Sequence, residues 1–234
     1  MPGKNRLRTA SVELSTVPGA RRLYVFFGGI ASGIAMPPFE FYNAAQILDD
    51  NKVFVRDFRQ AWYHAGLRGV SRDLPSTAEF LRQQVAELHA ESVTFVGNSM
   101  GGFAALLFAS LTGLGPAVAF APQTFLTPAL RYKHRDTRWG RKVWTAYLRT
   151  GYKPRAFDLR PIVERRRTAW PLTVYVSADD RRDLSHARHI EGLAGVQVTV
   201  LHGGGHNVVR RLRDEGRLAA ILRGGDSTPA AEAA

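Results

Sequence analysis

Residues 92–105 read Ser-Val-Thr-Phe-Val-Gly-Asn-Ser-Met-Gly-Gly-Phe-Ala-Ala. The run over 93–96 holds two valines, a threonine and a phenylalanine, which is typical of a short buried strand. The run over 103–111 is rich in alanine and leucine and predicts a helix. The stretch therefore predicts a strand, a sharp turn with Ser99 at its apex, and a helix.

The small residues around the turn are those that this geometry needs. Gly97 and Gly101 lie two positions to either side of Ser99, where a larger side chain would collide with the neighbouring strand or helix. Such a turn exposes the serine hydroxyl above the sheet edge and points the next backbone N–H, that of Met100, to the same side. The turn indicates a nucleophilic serine at position 99. The alternative is an ordinary strand-to-helix turn that contains a serine.

Length and composition bound the class of protein. A chain of 234 residues with 45% hydrophobic residues fits one α/β domain with a sizeable core. It contains no cysteine, which excludes disulfides, thiolate catalysis and cysteine-ligated metals. The N-terminal residues are polar and basic, without the apolar segment of a signal peptide, and no apolar run reaches membrane-spanning length. We therefore expect a cytoplasmic protein that does not bind a membrane.

Strand patterns alternate with helical patterns along most of the chain. Five further apolar runs predict strands, over 22–27, 53–56, 116–121, 171–177 and 196–201. Helices are predicted over 39–49, 77–90, 184–192 and 208–223. This alternation predicts a single α/β domain over 1–234, with a mostly parallel sheet flanked by helices. The tails over 1–10 and 224–234 are expected to be disordered.

The segment over 122–170 breaks the alternation and is expected to form a small lid insertion over the ligand crevice. The chain has a formal net charge of +12, and residues 131–167 alone carry thirteen Lys or Arg against three acidic residues. An electropositive rim that attracts an anionic ligand fits this charge, and so does an ordinary solvated surface. Nucleic-acid binding is not expected, because no recognised binding motif accompanies the basic residues.

A glycine-rich loop, Gly28-Gly29-Ile30-Ala31-Ser32-Gly33, follows the first buried strand. Its glycines do not form the G-x-G-x-x-G pattern of dinucleotide sites. The Gly-Lys pair of a phosphate-binding P-loop is missing, because Ile34 follows Gly33. A serine nucleophile downstream favours an oxyanion loop, whose glycines let backbone N–H groups approach a developing negative charge.

The loop over 58–70 contains three adjacent ring side chains, Trp62, Tyr63 and His64. In an open α/β sheet, loops at the carboxyl ends of the strands line the ligand crevice. We therefore expect Trp62 and Tyr63 to bind substrate, with His64 beside them. Packing of exposed aromatic side chains is the alternative.

Carboxylates and a histidine follow the last two predicted strands. A serine hydroxyl needs a base to accept its proton, and a histidine base needs an anion to fix its tautomer. Asp179, Asp180 and Asp183 follow the strand over 171–177, and His206 follows the last strand in a glycine-rich loop. Each aspartate is a candidate for the anion, and Asp183 could instead cap the next helix.

The other histidines of this region have simpler explanations. Three glycines separate His202 from His206, which excludes the helical His-x-x-x-His arrangement of a metal site, and we expect no metal. His186 and His189 fall in the helix predicted over 184–192 and are expected at the surface.

These pieces resemble the α/β-hydrolase fold family over about residues 22–223. The matching pieces are Phe27-Gly28-Gly29, Gly97-Asn98-Ser99-Met100-Gly101-Gly102, Ser177-Ala178-Asp179-Asp180 and Gly205-His206. The resemblance implies that Ser99 is the nucleophile, His206 the general base and Asp180 the acid. It also implies an oxyanion hole formed by the backbone N–H groups of Gly29 and Met100.

Two positions depart from the family pattern. The family often has a histidine where this chain has Phe27, and its acid turn usually begins with glycine, where this chain has Ser177. Neither departure removes a catalytic group, but both leave the substrate open.

The resemblance implies a serine hydrolase that needs no cofactor and cleaves an ester or thioester through an acyl-enzyme. The expected substrate is a small-molecule or carrier-bound acyl group, anionic if it contacts the basic lid. An acyltransferase that uses the same acyl-enzyme is one alternative, and a binding module without catalysis is another. The oligomeric state is not indicated by the sequence.

Overall fold

A seven-stranded sheet forms the centre of the protein. The computed structural model describes residues 10–30, 41–151 and 153–225. The strands are β1 Val12–Ser15, β2 Arg22–Phe27, β3 Asn51–Val55, β4 Ser92–Asn98, β5 Ala117–Phe120, β6 Leu172–Ser177 and β7 Val196–Leu201. Their order is β1-β3-β2-β4-β5-β6-β7. All neighbours run parallel except β1, which pairs antiparallel with β3 at one edge. The predicted mostly parallel α/β architecture is confirmed.

Helices flank the sheet on both faces. The α-helices of the described residues are α1 Leu74–Glu87, α2 Met100–Thr112, α3 Pro128–Lys133, α4 Gly140–Thr150, α5 Arg160–Glu164, α6 Arg181–Ile190, α7 Val208–Asp214 and α8 Arg217–Leu222. Short 3₁₀-helices span Ala44–Ile47, Pro154–Phe157 and Gly205–Asn207.

Two predicted helices begin three residues earlier than expected, α1 at Leu74 and α6 at Arg181, and two others differ in kind. The helix expected over 208–223 is divided into α7 and α8, because Gly216 adopts a left-handed φ of 73° between them. The helix expected over 39–49 begins outside the described residues. Its described part forms a turn and the 3₁₀-helix Ala44–Ile47.

Several other expectations fall wholly or mostly outside the described residues. The tails expected to be disordered are described only at residue 10 and at residues 224–225. The glycine-rich loop is described only over residues 28–30.

The central strands are buried on both faces, as parallel strands covered by helices should be. Leu23, Val25 and Phe27 of β2 point into a core shared with α1, α2, α4, α5 and α6. Tyr24 and Phe26 point to the other face, into a core shared with α7, α8 and the first 3₁₀-helix. The sheet therefore holds the carboxyl ends of β4, β5, β6 and β7 side by side at one edge.

The segment between β5 and β6 holds α3, α4, α5 and the 3₁₀-helix Pro154–Phe157. Residues near the beginning of this segment lie beside residues in its second half, since Phe125 and Asp158 form an antiparallel bridge. Its buried side chains, Val143 and Tyr147 among them, join the core on the α2 side. Among the described residues, no helix combines the length and apolar character needed to cross a bilayer.

Candidate active site

Ser99 lies between β4 and α2 in a strained backbone conformation. Its φ is 54° and its ψ is −116°, a region that L-residues rarely adopt. The turn is tight enough to require glycine on both sides. A Cβ added at Gly97 would collide with the backbone carbonyl of Gly101, and one added at Gly101 would collide with the carbonyl of Phe27. The sequence pattern around Ser99 therefore produces the predicted sharp turn.

Ser99, His206 and Asp183 form a hydrogen-bonded chain. The Oγ atom of Ser99 lies 3.1 Å from Nε2 of His206. Nδ1 of His206 lies 2.7 Å from Oδ2 of Asp183. A carboxylate can only accept, so Nδ1 carries the proton and Nε2 is left as the acceptor for the Ser99 hydroxyl. This is the tautomer in which a histidine can take a proton from serine.

The expected acid, Asp180, is not the residue bonded to His206. Asp180 caps α6, because its side chain accepts hydrogen bonds from the backbone N–H groups of Arg182 and Asp183. Asp183, which could have been the cap, lies one turn further along with its side chain fully buried against His206. The two aspartates therefore exchange the positions expected for them, because α6 begins at Arg181 and not at Leu184.

Arg138 contacts the carboxylate oxygen of Asp183 that faces away from His206. Its Nη1 atom lies 2.6 Å from Oδ1 of Asp183. Burial alone would raise the pKa of Asp183, but hydrogen bonds and charge from His206 and Arg138 outweigh it and hold that pKa below its usual range. Asp183 therefore stays ionised beside the imidazole.

A second buried carboxylate supports Arg138 from the other side. Nη2 of Arg138 lies 3.0 Å from Oδ2 of Asp136, and its Nε lies 3.1 Å from Oδ1 of the same group. Burial opposes ionisation of Asp136, but hydrogen bonds from His186 and Arg138 lower its pKa strongly. The segment between β5 and β6 thus supplies a guanidinium that hydrogen-bonds to two carboxylates, those of Asp136 and Asp183.

His186 completes this network and is not the surface residue that we expected. Its ring is fully buried, and its Nε2 lies 2.8 Å from Oδ2 of Asp136. Nδ1 accepts from the backbone N–H of Thr124 at 3.1 Å, so Nε2 carries the proton and the ring is neutral. Burial lowers the pKa of His186, in agreement with a neutral ring. His189 is also mostly buried and contacts Asp158 at 2.7 Å.

Gln123, three residues after the end of β5, is a site residue that the sequence pattern did not reveal. Its Nε2 lies 3.3 Å from Oγ of Ser99, and its Oε1 accepts from the indole N–H of Trp62 at 2.8 Å. An indole N–H can only donate, so it fixes the amide with its NH₂ group toward Ser99. Ser99 then accepts from Gln123 and directs its own proton to His206.

The two side chains expected to bind substrate lie beneath the site. Trp62 and Tyr63 are both fully buried, so the alternative of exposed aromatic packing is wrong. The hydroxyl of Tyr63 donates to the backbone carbonyl of Gly28 at 2.9 Å and so holds the start of the loop that follows β2. His64 is also buried and stacks on Phe157. Substrate contact by Trp62 and Tyr63 stays a prediction, whereas their support of Gln123 and Gly28 is observed.

The expected oxyanion donors lie on neighbouring elements. Met100 is the first residue of α2, whose first-turn N–H groups have no acceptor within the helix. Gly29 follows β2, which pairs with β4 so that Phe27 lies opposite Gly97. This places both backbone segments at the same end of adjacent strands, although their part in catalysis stays a prediction.

Three of the site's side chains also have the composition of a metal site. Asp180, Asp183 and His206 each offer one ligand atom, and these atoms lie within 4.8 Å of one another. However, Arg138 already places a positive charge beside Asp183, and the Nδ1 proton of His206 occupies the other oxygen. This donor set suits a proton relay better than a cation.

Comparisons with known proteins locate the fold. No family model matches the sequence. No curated protein matches it either. The structure resembles the capsule O-acetyltransferase of Neisseria meningitidis serogroup A, with a TM-score of 0.67 and 13% identity over 91% of each chain. It also resembles MGS-M2, an α/β hydrolase enzyme from a Medee basin deep-sea metagenome library, with a TM-score of 0.60 and 14% identity. That match covers 94% of this chain and 95% of MGS-M2.

A third structure, MenH from S. aureus, has a TM-score of 0.58 and 12% identity, covering 92% of this chain and 97% of its own. These identities support a statement about the fold alone. Sheet order, the turn at Ser99 and these likenesses agree, and the chain has the α/β-hydrolase fold.

Proposed function

We propose that this protein is a serine-dependent acyl hydrolase that cleaves an ester or thioester through an acyl-enzyme on Ser99. The observation that carries the proposal is the continuous chain from Asp183 through His206 to the Ser99 hydroxyl, with contacts of 2.7 and 3.1 Å. A serine at neutral pH is a weak nucleophile, and this arrangement is the one that activates it.

In the first half of the reaction, Ser99 Oγ attacks the carbonyl carbon and His206 Nε2 takes the hydroxyl proton. Asp183 stabilises the imidazolium that forms, and the N–H groups of Met100 and Gly29 donate to the oxyanion. Collapse of the tetrahedral intermediate breaks the bond to the leaving oxygen or sulfur. His206 gives its proton to that atom, so an alcohol or thiol departs and the acyl group stays on Ser99.

In the second half, a water molecule takes the place of the leaving group. His206 removes a proton from the water as it attacks the acyl carbon. The proton then returns to Ser99 Oγ as the acid is released. Gln123 donates to Ser99 Oγ in the resting state, which leaves the serine proton directed at His206.

Transfer of the acyl group to a hydroxyl or amine is the second candidate. It differs only in the acceptor, which replaces water in the second half of the reaction. The likeness in fold to a capsule O-acetyltransferase, whose TM-score of 0.67 exceeds those of the two hydrolase-fold structures above, supports testing it. The site residues named above serve both outcomes.

The proposal is tested with a panel of acyl esters and thioesters of increasing chain length, with and without added alcohol and amine acceptors. Products are identified by mass spectrometry, with Ser99→Ala as the control. Free acid formed only by the wild-type protein supports hydrolysis, and acylated acceptor supports transfer. Turnover that survives in Ser99→Ala would contradict both candidates.

A further inference from the structure

A basic groove lies between α3 and α6, on the outer side of the helix that carries Asp183. It has a volume of about 510 Å³. Five exposed cations line it: Lys133, Arg135, Arg181, Arg182 and Arg188. No acidic side chain lines this groove among the residues that the structure describes. We call it the α3–α6 groove.

The cations of the α3–α6 groove are mostly without ion pairs. Within the described part of the chain, only Arg182 contacts a carboxylate, that of Asp180 at 3.7 Å. Two arginines of α7 behave differently, because Arg210 and Arg211 pair with acidic residues four positions on. The α3–α6 groove therefore holds a local excess of positive charge that the surrounding carboxylates do not neutralise.

The two faces of α6 have different surroundings. Asp183, His186 and Ile190 are buried and face the core and the candidate active site. Arg181 and Arg188 lie on the exposed face and line the groove. Arg181 and Arg182 also stand at the N-terminal end of the helix, where the helix dipole disfavours positive charge. A bound anion would relieve both this repulsion and that among the cations.

A second basic groove has a similar lining of arginines but lies at the opposite kind of helix end. It has a volume of about 590 Å³ and is lined by Arg155, Arg165 and Arg167 among others. It lies at the C-terminal end of α2, whose negative dipole end partly neutralises its arginines. Arg166 there donates to the backbone carbonyls of Val163 and Thr168. This groove serves as a matched control.

We propose that the α3–α6 groove is a binding site for the diphosphate group of a small phosphorylated ligand. Its volume falls in the range of small-molecule sites, about 300–1,000 Å³. An arginine guanidinium can donate two parallel hydrogen bonds to the oxygens of one phosphate group. A lysine ammonium on the facing wall adds a point charge. The proposal concerns binding alone and does not depend on the proposed chemistry at Ser99.

The test is isothermal titration of pyrophosphate, inorganic phosphate and ADP into Ser99→Ala protein, which removes any turnover. The same titrations are made on this background with Arg181→Gln and Arg188→Gln together. The control carries Arg165→Gln and Arg167→Gln, which remove equal charge from the second groove. All four arginines are exposed, so neither pair is expected to disturb folding.

We expect pyrophosphate to bind more tightly than inorganic phosphate, at least a tenfold loss of affinity with the α6 pair, and less than a twofold change with the control pair. ADP that binds more tightly than pyrophosphate identifies a nucleotide as the source of the diphosphate. Equal affinities identify a diphosphate on another molecule. Absence of pyrophosphate binding, or an equal loss in both pairs, would overturn the proposal. A positive result without Ser99 labelling in wild-type protein would leave this site standing while the proposed function fails.

Discussion

Arg138 and Asp183 form an ion pair of 2.6 Å in which the guanidinium takes the carboxylate oxygen that His206 does not use. The pair is shielded from solvent, with side-chain exposures of 14% for Arg138 and 0% for Asp183. The segment between β5 and β6 is therefore part of the candidate active site and not merely a cover over it. This contact can be tested by substitution, and so can the hydrogen bonds that link the pair to Asp136 and, through His206, to Ser99.

Asp183→Asn should abolish most activity, whereas Asp180→Asn should change it by no more than a few-fold. Loss of the buried anion removes the group that fixes the His206 tautomer, an effect on the order of 10⁴-fold in kcat. Asparagine at position 180 can still cap α6. Steady-state kinetics of both variants on one substrate makes the comparison. Equal losses in the two variants, or a larger loss for Asp180→Asn, would return the role to Asp180.

Arg138→Gln tests whether the guanidinium positions the Asp183 carboxylate and offsets part of its negative charge. Without it, the Asp183 carboxylate loses the contact that holds it in line with His206, and it carries its full charge toward the imidazole. We expect kcat/KM to fall about tenfold, as loss of a charge-assisted contact worth about 1.5 kcal/mol would cause. The acidic limb of the pH–rate profile should move to higher pH.

Arg138→Lys distinguishes charge from geometry. It keeps the positive charge but cannot contact both carboxylates through a planar fork. The acidic limb should therefore return toward its wild-type position, while part of the loss in kcat/KM remains. A profile unchanged in both variants would mean that Arg138 only stabilises the fold.

Gln123 and Trp62 should act on Ser99 as one unit. Gln123→Met removes the donor to Ser99 Oγ, and Trp62→Phe removes the group that orients that donor. Because Trp62 works through Gln123, we expect the double variant to lose no more kcat than Gln123→Met alone. Measuring kcat for the two single variants and the double variant completes the double-mutant cycle. Losses that simply multiply would show that the two side chains act independently.

Asp136→Asn should destabilise the protein in a pH-dependent way. The pKa of Asp136 is lowered in the folded state, so its carboxylate stabilises the fold above the unfolded pKa of about 3.9. That contribution is lost as the pH falls through and below this value. We expect a cost of about 3 kcal/mol at pH 7, similar at about pH 5 and smaller at about pH 3.5, measured by urea unfolding.

The control for this experiment is Asp214→Asn, since Asp214 is a half-exposed surface residue of α7. It should leave the free energy of unfolding nearly unchanged at all three pH values. An Asp136→Asn cost that stays constant or grows on acidification would contradict the assigned ion pairs.

Much of this fold follows from local sequence. Apolar runs and glycine spacing predicted the central strands and the turn at Ser99, because each depends on residues close together in the chain. The identity of the acidic residue bonded to His206 was harder to predict. Asp180 and Asp183 are three residues apart, and which one caps α6 and which one faces His206 depends on a difference of one turn in where the helix begins.

Contacts between residues far apart in the chain could not be predicted from the sequence pattern. Gln123 follows a strand without any signature, and only the sheet places it between Trp62 and Ser99. The histidines of α6 were expected at the surface of their helix. His186 is buried because Asp136 and Thr124, from the segment between β5 and β6, satisfy both of its nitrogens.

The central claim is that Ser99 is an activated nucleophile. It is tested most directly by labelling the folded protein with a fluorophosphonate probe and measuring its intact mass, beside Ser99→Ala, His206→Ala and Asp183→Asn. We expect one adduct on wild-type protein, located at Ser99, none on Ser99→Ala or His206→Ala, and much slower labelling of Asp183→Asn. No adduct on folded wild-type protein, or an adduct that persists in Ser99→Ala, would contradict the account and favour a binding module without catalysis.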